Sequence, residues 1–140
     1  MTAHVSTLSA PLVAPSNRSR WIGRILTALP ALFLAFSAIM KFAHPPEVTA
    51  SMAHLGIPDS LTLVIGTLEL GCVILYLIPR TSILGAVLLT GYLGGAVMTH
   101  LRVGDPLLSH TLFPIFIGIF VWGALYVRDA RVRALVAPRT

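Results

Sequence analysis

A single carboxylate, Glu69, stands in the middle of a long apolar stretch of this 140-residue chain. The stretch, residues 61–78, is long enough to cross the hydrocarbon layer of a membrane. An ionisable group at that depth costs roughly 3 kcal/mol on insertion scales, so it is expected to face a bundle interior with a partner or a proton. The chemistry open to Glu69 is ion pairing, hydrogen bonding or proton exchange with a ligand.

Four further polar residues are expected on the same side of the molecule as Glu69. Lys41 closes the preceding apolar stretch, and Tyr92 falls at nearly the depth of Glu69 in the following one, which runs the opposite way. His100 and Arg102 end that following stretch. These five residues form the predicted ligand or proton site, placed in the outer half of a helix bundle.

Three interpretations of Glu69 stay open at this point. It could form a structural ion pair or hydrogen bond with Lys41, Tyr92 or His100 that locks the bundle. It could instead bind or protonate a ligand in a polar pocket that opens outward, with its pKa raised by desolvation. It could also face a partner subunit. If Glu69 is paired or functional, Glu69→Leu should lose folding yield or activity.

Metal and haem sites are not expected. Four histidines fall on the side of Glu69, but no two of them have the i, i+4 spacing of a helical ligand pair (His44, His54, His100 and His110). Haem would need axial histidines deep in a span. The single cysteine, Cys72, excludes an internal disulfide. The cofactor is unknown, and a quinone is possible.

The elements that must position these residues are four apolar stretches, at residues 21–42, 61–78, 82–101 and about 107–127. The chain is 56% hydrophobic and 11% charged, far from the roughly 25% charged residues of soluble proteins. Short connections join the second stretch to the third and the third to the fourth. The sequence therefore predicts an all-α fold, a bundle of four transmembrane helices that run up, down, up and down.

Positive charge is concentrated on one side of these stretches. Eight of the ten Lys and Arg residues fall there, and only Lys41 and Arg102 fall on the other side. The positive-inside rule predicts a multi-pass protein of the cell membrane with both termini in the cytoplasm. Lipid headgroups explain the net charge of +5 and are the expected partner, rather than nucleic acid.

Shorter features divide the rest of the chain. Pro45 and Pro46 predict the start of a short interfacial helix that ends at Gly56, and Asp59 or Ser60 is expected to cap the next helix. Gly91 and Gly95 form a small-xxx-small pair suited to close helix packing in lipid. We expect a flexible cytoplasmic tail over residues 1–20, the transmembrane domain over 21–135 and a short tail over 136–140.

Several motifs give the chain a resemblance to a known family. They are KFAHPP at 41–46, GTLEL at 66–70, LYLIPRT at 75–81, LGA at 84–86, TGYLGGA at 90–96, THLRVGDP at 99–106 and RD at 128–129. Over residues 24–135 the chain resembles the DoxX-like family of small membrane proteins. The resemblance implies a four-helix integral membrane protein. The family takes its name from a subunit associated with a thiosulfate-oxidising, quinone-reducing membrane complex, and other relatives are implicated in membrane redox assemblies.

Three functional hypotheses follow. The first is a redox-associated subunit that works beside a quinone pool or a partner oxidoreductase, with the outer polar pocket as its ligand or proton site. The second is a non-catalytic scaffold or assembly factor whose glycine-rich third helix packs against partner spans. The third is a small-molecule or lipid-modifying enzyme that uses Glu69 as an acid or base. Because the chain has no nucleotide loop or nucleophile motif, a subunit is favoured over a stand-alone enzyme.

Overall fold

The computed structural model describes residues 17–136, with side chains from residue 21 onward. Within that range no strand occurs, and the chain forms six α-helices: α1 Asn17–Ala43, α2 Pro46–His54, α3 Thr62–Leu77, α4 Ser82–Val103, α5 Phe113–Arg128 and α6 Ala130–Val136. A 3₁₀ turn, Asp59–Leu61, leads into α3, and a π-helical turn, Leu107–Thr111, leads into α5. The predicted all-α fold is confirmed.

Four segments are long and apolar enough to cross a membrane: Trp21–Ala43, Asp59–Leu77, Ser82–Val103 and Leu107–Arg128. Their outward faces carry large apolar side chains that no other part of the described chain covers; Leu32 is 70% exposed and Met98 is 65% exposed. Such a surface is stable in hydrocarbon, and the helices satisfy their own backbone hydrogen bonds there. The protein is therefore an integral membrane protein in contact with the lipid bilayer.

The four long helices form a closed ring in which α1 packs on α3, α3 on α4, α4 on α5 and α5 on α1. Each of the four runs antiparallel to its neighbours in the ring, because the chain crosses the bundle in alternating directions with α1, α3, α4 and α5. We call the end where α1 begins and α5 ends the terminal end, and the opposite end, with α2 and the α4–α5 connection, the loop end. The loop end is the side predicted from the sequence as outer.

The two ends of the bundle are packed differently. The fully buried apolar residues gather in the terminal half, with Tyr76 of α3, Leu89 of α4, and Val121 and Leu125 of α5 all at most 1% exposed. Val132 of α6 also packs in this core, on the side of the terminal end. The loop half contains fewer buried apolar side chains and more buried polar ones.

The short helix predicted between the first two spans is confirmed as α2. Pro46 occupies its first turn, and Gly56 follows it with a φ of +66°, a left-handed conformation that glycine adopts without strain. Met52 and Leu55 on its inner face are buried. The short helix therefore packs its buried apolar residues against the loop end of the bundle.

Other local expectations differ from the structure. Neither Asp59 nor Ser60 caps α3 through its side chain, because the 3₁₀ turn carries the backbone directly into the helix. Asp59 Oδ1 instead lies 2.9 Å from His44 Nε2. The predicted tails lie outside the described residues at 1–16 and 137–140, whereas residues 17–20 belong to α1 and Val136 ends α6.

Candidate functional site

The most buried charged groups of the described chain meet between α1 and α3. Lys41 Nζ lies 2.9 Å from Glu69 Oε2, with side-chain exposures of 10% and 2%. Ser37 completes a triangle, because its hydroxyl accepts a bond of 2.8 Å from Lys41 Nζ and donates one of 3.3 Å to Glu69 Oε2. A buried carboxylate is thus compensated by one ammonium group and one hydroxyl.

Local sequence explains how the triangle forms. Ser37 and Lys41 are four residues apart on α1, so they share one helix face. Gly66 lies one turn before Glu69 on α3, and a Cβ built on it would lie 3.0 Å from Lys41 Cβ. The glycine therefore leaves the room that the Lys41 stem needs to reach Glu69.

A cavity of about 470 Å³ adjoins this ion pair in the loop half of the bundle. Its polar lining includes Ser37, Lys41, Glu69, Tyr92, Thr99 and His100. Tyr92 of α4 and Glu69 of α3 thus line the same space. Phe33 and Phe113 also line the cavity and pack edge to face at 5.1 Å between ring centres. The space is mostly apolar, with the charged pair set into its wall.

Gly91 and Gly95 line the same cavity from α4. Nothing lies within 4 Å of a Cβ built on either residue, so no helix of the described chain packs on them. Their missing side chains instead leave part of the cavity open. Packing of these two glycines against a partner helix stays a prediction.

The α2 helix and the α4–α5 connection form the rim of the cavity. Asp105 bridges them, because its Oδ2 lies 2.6 Å from His100 Nδ1 and its Oδ1 lies 2.8 Å from His54 Nε2. The hydrogen bond with His100, followed by that with His54, lowers the pKa of Asp105 below its usual value. Met52 of α2 and Leu55, which directly follows this helix, also line the cavity.

Arg102 has a different position from the other four predicted site residues. Its guanidinium donates to the Leu55 carbonyl at the end of α2 and does not line the cavity. The residue thus holds α2 on the bundle, whereas Lys41, Glu69, Tyr92 and His100 surround one space. The proposed role of all five as a ligand or proton site stays a prediction.

Some residues of the site were not predicted from the sequence. Ser37 could have been found from its i, i+4 relation to Lys41. Asp105 lies in the connection between α4 and α5, and its contact with His100 depends on the chain reversal at Gly104, whose φ is +75°. In the described part of the chain, no three His, Cys, Asp or Glu side chains are placed to hold a metal ion.

The geometry allows a limited set of chemical roles. The ammonium group of Lys41 and the hydroxyl of Tyr92 can donate hydrogen bonds, and the carboxylate of Glu69 can accept them. A ligand pocket of about 300–1,000 Å³ with apolar walls and a few polar groups is typical of small-molecule sites. The arrangement therefore suits a small, largely apolar molecule with a few polar atoms.

Fold and site together define a small four-helix integral membrane protein with a buried ion pair beside a cavity at one end. The family model described as the DoxX-like family matches residues 25–124, and the chain belongs to this family. The resemblance predicted from the sequence motifs is thereby confirmed. No curated protein and no solved structure matches the chain significantly.

Proposed function

We propose that this protein is a redox-associated membrane subunit that works beside a quinone pool or a partner oxidoreductase. Its ligand site is the cavity at the loop end, and its ligand is a quinone. The observation that carries the proposal is the Lys41–Glu69 pair set into the wall of a cavity of about 470 Å³ with aromatic sides.

The chemistry of a quinone matches the lining of this cavity. The ring is flat and apolar, so it can pack against Phe33, Phe113 and the ring of Tyr92. Its two carbonyl oxygens accept hydrogen bonds, which Lys41 and Tyr92 can donate. The reduced quinol carries hydroxyl donors instead, which Glu69 can accept. The same pocket can therefore hold both forms of the molecule.

We also propose a location for the protein and an orientation in the membrane. The protein lies in the cell membrane with both termini in the cytoplasm, because eight of its ten basic residues belong to the terminal end or its flanks. The cavity then opens toward the outer face. A partner that exchanges electrons with the bound quinone would contact the protein on that side.

Quinone binding to the purified protein tests the proposal. A short-tail ubiquinone analogue is titrated into the protein in detergent and followed by calorimetry. Gly91→Leu fills the cavity without removing a polar group, and we expect at least a tenfold weaker Kd, which corresponds to about 1.4 kcal/mol. Gly94→Leu is the matched control on the same helix, because Gly94 has open space around it and does not line the cavity. Equal binding by the wild type and Gly91→Leu would contradict the proposal.

A second experiment separates this function from the scaffold hypothesis. Tagged protein is extracted gently from its native membrane, and the proteins that co-purify at stoichiometric amounts are identified. A flavin, haem or iron–sulfur partner supports the redox subunit. A stable partner whose retention is unchanged by Glu69→Gln, combined with no quinone binding, favours the scaffold. Turnover of a substrate by the purified chain alone would favour the enzyme hypothesis.

A further inference from the structure

A second recess lies in the terminal half of the bundle, on the lipid-facing side between α4 and α5. This groove has a volume of about 590 Å³. It is lined by Thr90 and Leu93 of α4, by Val132 and Val136 of α6, and by six residues of α5 (Ile115, Gly118, Ile119, Trp122, Gly123 and Tyr126). Gly118 and Gly123 widen it, and nothing lies within 4 Å of a Cβ built on Gly123. None of these residues belongs to the Lys41–Glu69 site except Leu93, which lies between the two spaces.

The groove offers almost no polar group to a ligand. Thr90 and Trp122 are its main polar side chains, and they satisfy each other, since Trp122 Nε1 donates to Thr90 Oγ1 at 2.9 Å. A polar solute would lose its hydrogen bonds to water there without replacing them. Hydrocarbon suits the groove, because it needs no such bonds.

The dimensions of the groove match one leaflet of a bilayer. From Ile115 to Tyr126 it follows twelve residues of α5, and the eleven steps between them rise about 16 Å at 1.5 Å per residue. The hydrocarbon layer of a membrane is about 30 Å thick, so a single leaflet contributes about half of it. The membrane-crossing segment ends at Arg128, which places Tyr126 close to the headgroups.

A fixed positive charge lies at the headgroup end of the groove. Arg133 Nη1 donates to the carbonyl oxygens of Tyr126 and Val127 at 3.0 and 2.9 Å, which holds the guanidinium at the end of α5. Arg131 differs, because Asp129 pairs with it at 2.8 Å. Arg133 forms no salt bridge with any carboxylate of the described residues. Its charge is therefore available to an anion from outside the chain.

We propose that this groove is a binding site for an anionic phospholipid. One acyl chain lies along α5, between α4 and the α6 residues Val132 and Val136. The phosphate group pairs with Arg133. The leaflet is the one on the side of the terminal end. The inference is independent of the quinone proposal, because it concerns a different space and different residues.

Lipid titration of delipidated protein in detergent, followed by native mass spectrometry, tests the site. The probes are phosphatidylglycerol, which is anionic, and phosphatidylcholine, which carries no net charge. We expect the first bound phosphatidylglycerol to bind about fivefold more tightly than phosphatidylcholine, the effect of one arginine near an anionic headgroup. Arg133→Gln should remove this preference, because Arg133 is held at the carbonyl of Tyr126, a residue of the groove. Arg80→Gln should keep it, because Arg80 is an exposed arginine of the turn between α3 and α4 at the same end.

Filling the groove tests the acyl-chain part of the site. Gly123→Leu should weaken binding of both lipids at least tenfold. Gly71→Leu is the matched control, because Gly71 also has nothing within 4 Å and lines neither space. Ile119→Trp serves as a second variant if Gly123→Leu does not fold, since Ile119 is 60% exposed and lines the groove. The proposal is overturned if lipid binding survives the filling variants, if Arg133→Gln keeps the preference, or if a second copy of the chain occupies the groove instead of lipid.

Discussion

A Cβ atom built on Gly85 would lie 2.2 Å from the backbone nitrogen of Tyr76. The backbones of α3 and α4 are therefore in direct contact next to the short turn that joins the two helices. Tyr76 is fully buried, and its hydroxyl donates to the Val121 carbonyl at 3.1 Å. Arg128 Nη2 donates to the carbonyl oxygen of Tyr76 at 3.0 Å. This one residue links α3 to α4 and α5 and closes the terminal half of the bundle.

Gly85→Ala should destabilise the protein by about 3 kcal/mol, the upper part of the range for overpacked sites, because the new methyl group would meet backbone atoms that cannot rotate away. Unfolding by a strong detergent, followed by circular dichroism, measures the change. Gly94→Ala is the control, since Gly94 lies on the same helix in open space. It should be neutral or more stable by up to about 1 kcal/mol, because alanine favours the helix. Equal stability of both variants would show that α3 and α4 do not touch as described.

The buried ion pair leads to a prediction that separates its structural role from its role in binding. Glu69→Leu alone leaves the buried Lys41 ammonium without a carboxylate to balance its charge and should cost about 3–5 kcal/mol. The double change Lys41→Met with Glu69→Leu removes both charges and should recover most of that stability. Free energies of unfolding of the two variants measure this.

Quinone binding by the same double variant then tests function. If the pair only stabilises the bundle, the double variant should bind the ubiquinone analogue like the wild type. We expect instead that the double variant folds but does not bind the ubiquinone analogue, because the Lys41 donor and the Glu69 acceptor are absent from the cavity. A stable double variant with wild-type binding would exclude the pair from the ligand site.

The fold could be predicted because its main determinants are local in the sequence. Four apolar stretches of membrane-crossing length and short connections leave an antiparallel bundle as the simplest solution. The depth of Glu69 and Tyr92 followed from counting residues along two antiparallel helices. Lys41 could be named as a partner for the same reason, since it ends the helix next to α3.

Other features could not be predicted, because they depend on how the helices rotate about their axes. The periodicity of Gly91 and Gly95 is the same whether they pack against a helix or line a cavity. The contact of Gly85 with Tyr76 depends on the angle between α3 and α4. The helix α6 could not be predicted either, since Arg131 and Arg133 interrupt its apolar residues and only Val132 of these is buried.

The orientation of the bundle gives a prediction for intact cells. Cys72 is the only cysteine, so Cys72→Ala provides a background in which single cysteines can be placed. Ser109→Cys at the loop end should react with a maleimide that cannot cross membranes. Ala134→Cys at the terminal end should react after lysis alone, because the basic end is expected in the cytoplasm. The reverse pattern would place the cavity on the cytoplasmic side.

The rim of the cavity predicts a dependence of stability on pH. The hydrogen bonds from His100 and His54 lower the pKa of Asp105 from its ordinary value of 3.8. A carboxyl with a lowered folded-state pKa contributes stability above its ordinary pKa and loses it as the pH falls through the folded-state value. The thermal midpoint of the wild type should therefore drop as the pH falls below about 4.

Asp129 contributes to stability in the same direction, because Arg131 lowers its pKa. The variant Asp105→Asn isolates the contribution of Asp105 to the stability of the rim. At neutral pH the variant should unfold at a lower temperature than the wild type, because the charged acceptor of both histidines is gone. On acidification the two curves should converge, since protonated Asp105 in the wild type also lacks the charge. Thermal unfolding in detergent from about pH 2 to pH 7 measures both curves. Parallel curves with a constant gap would show that the charge of Asp105 does not stabilise the rim.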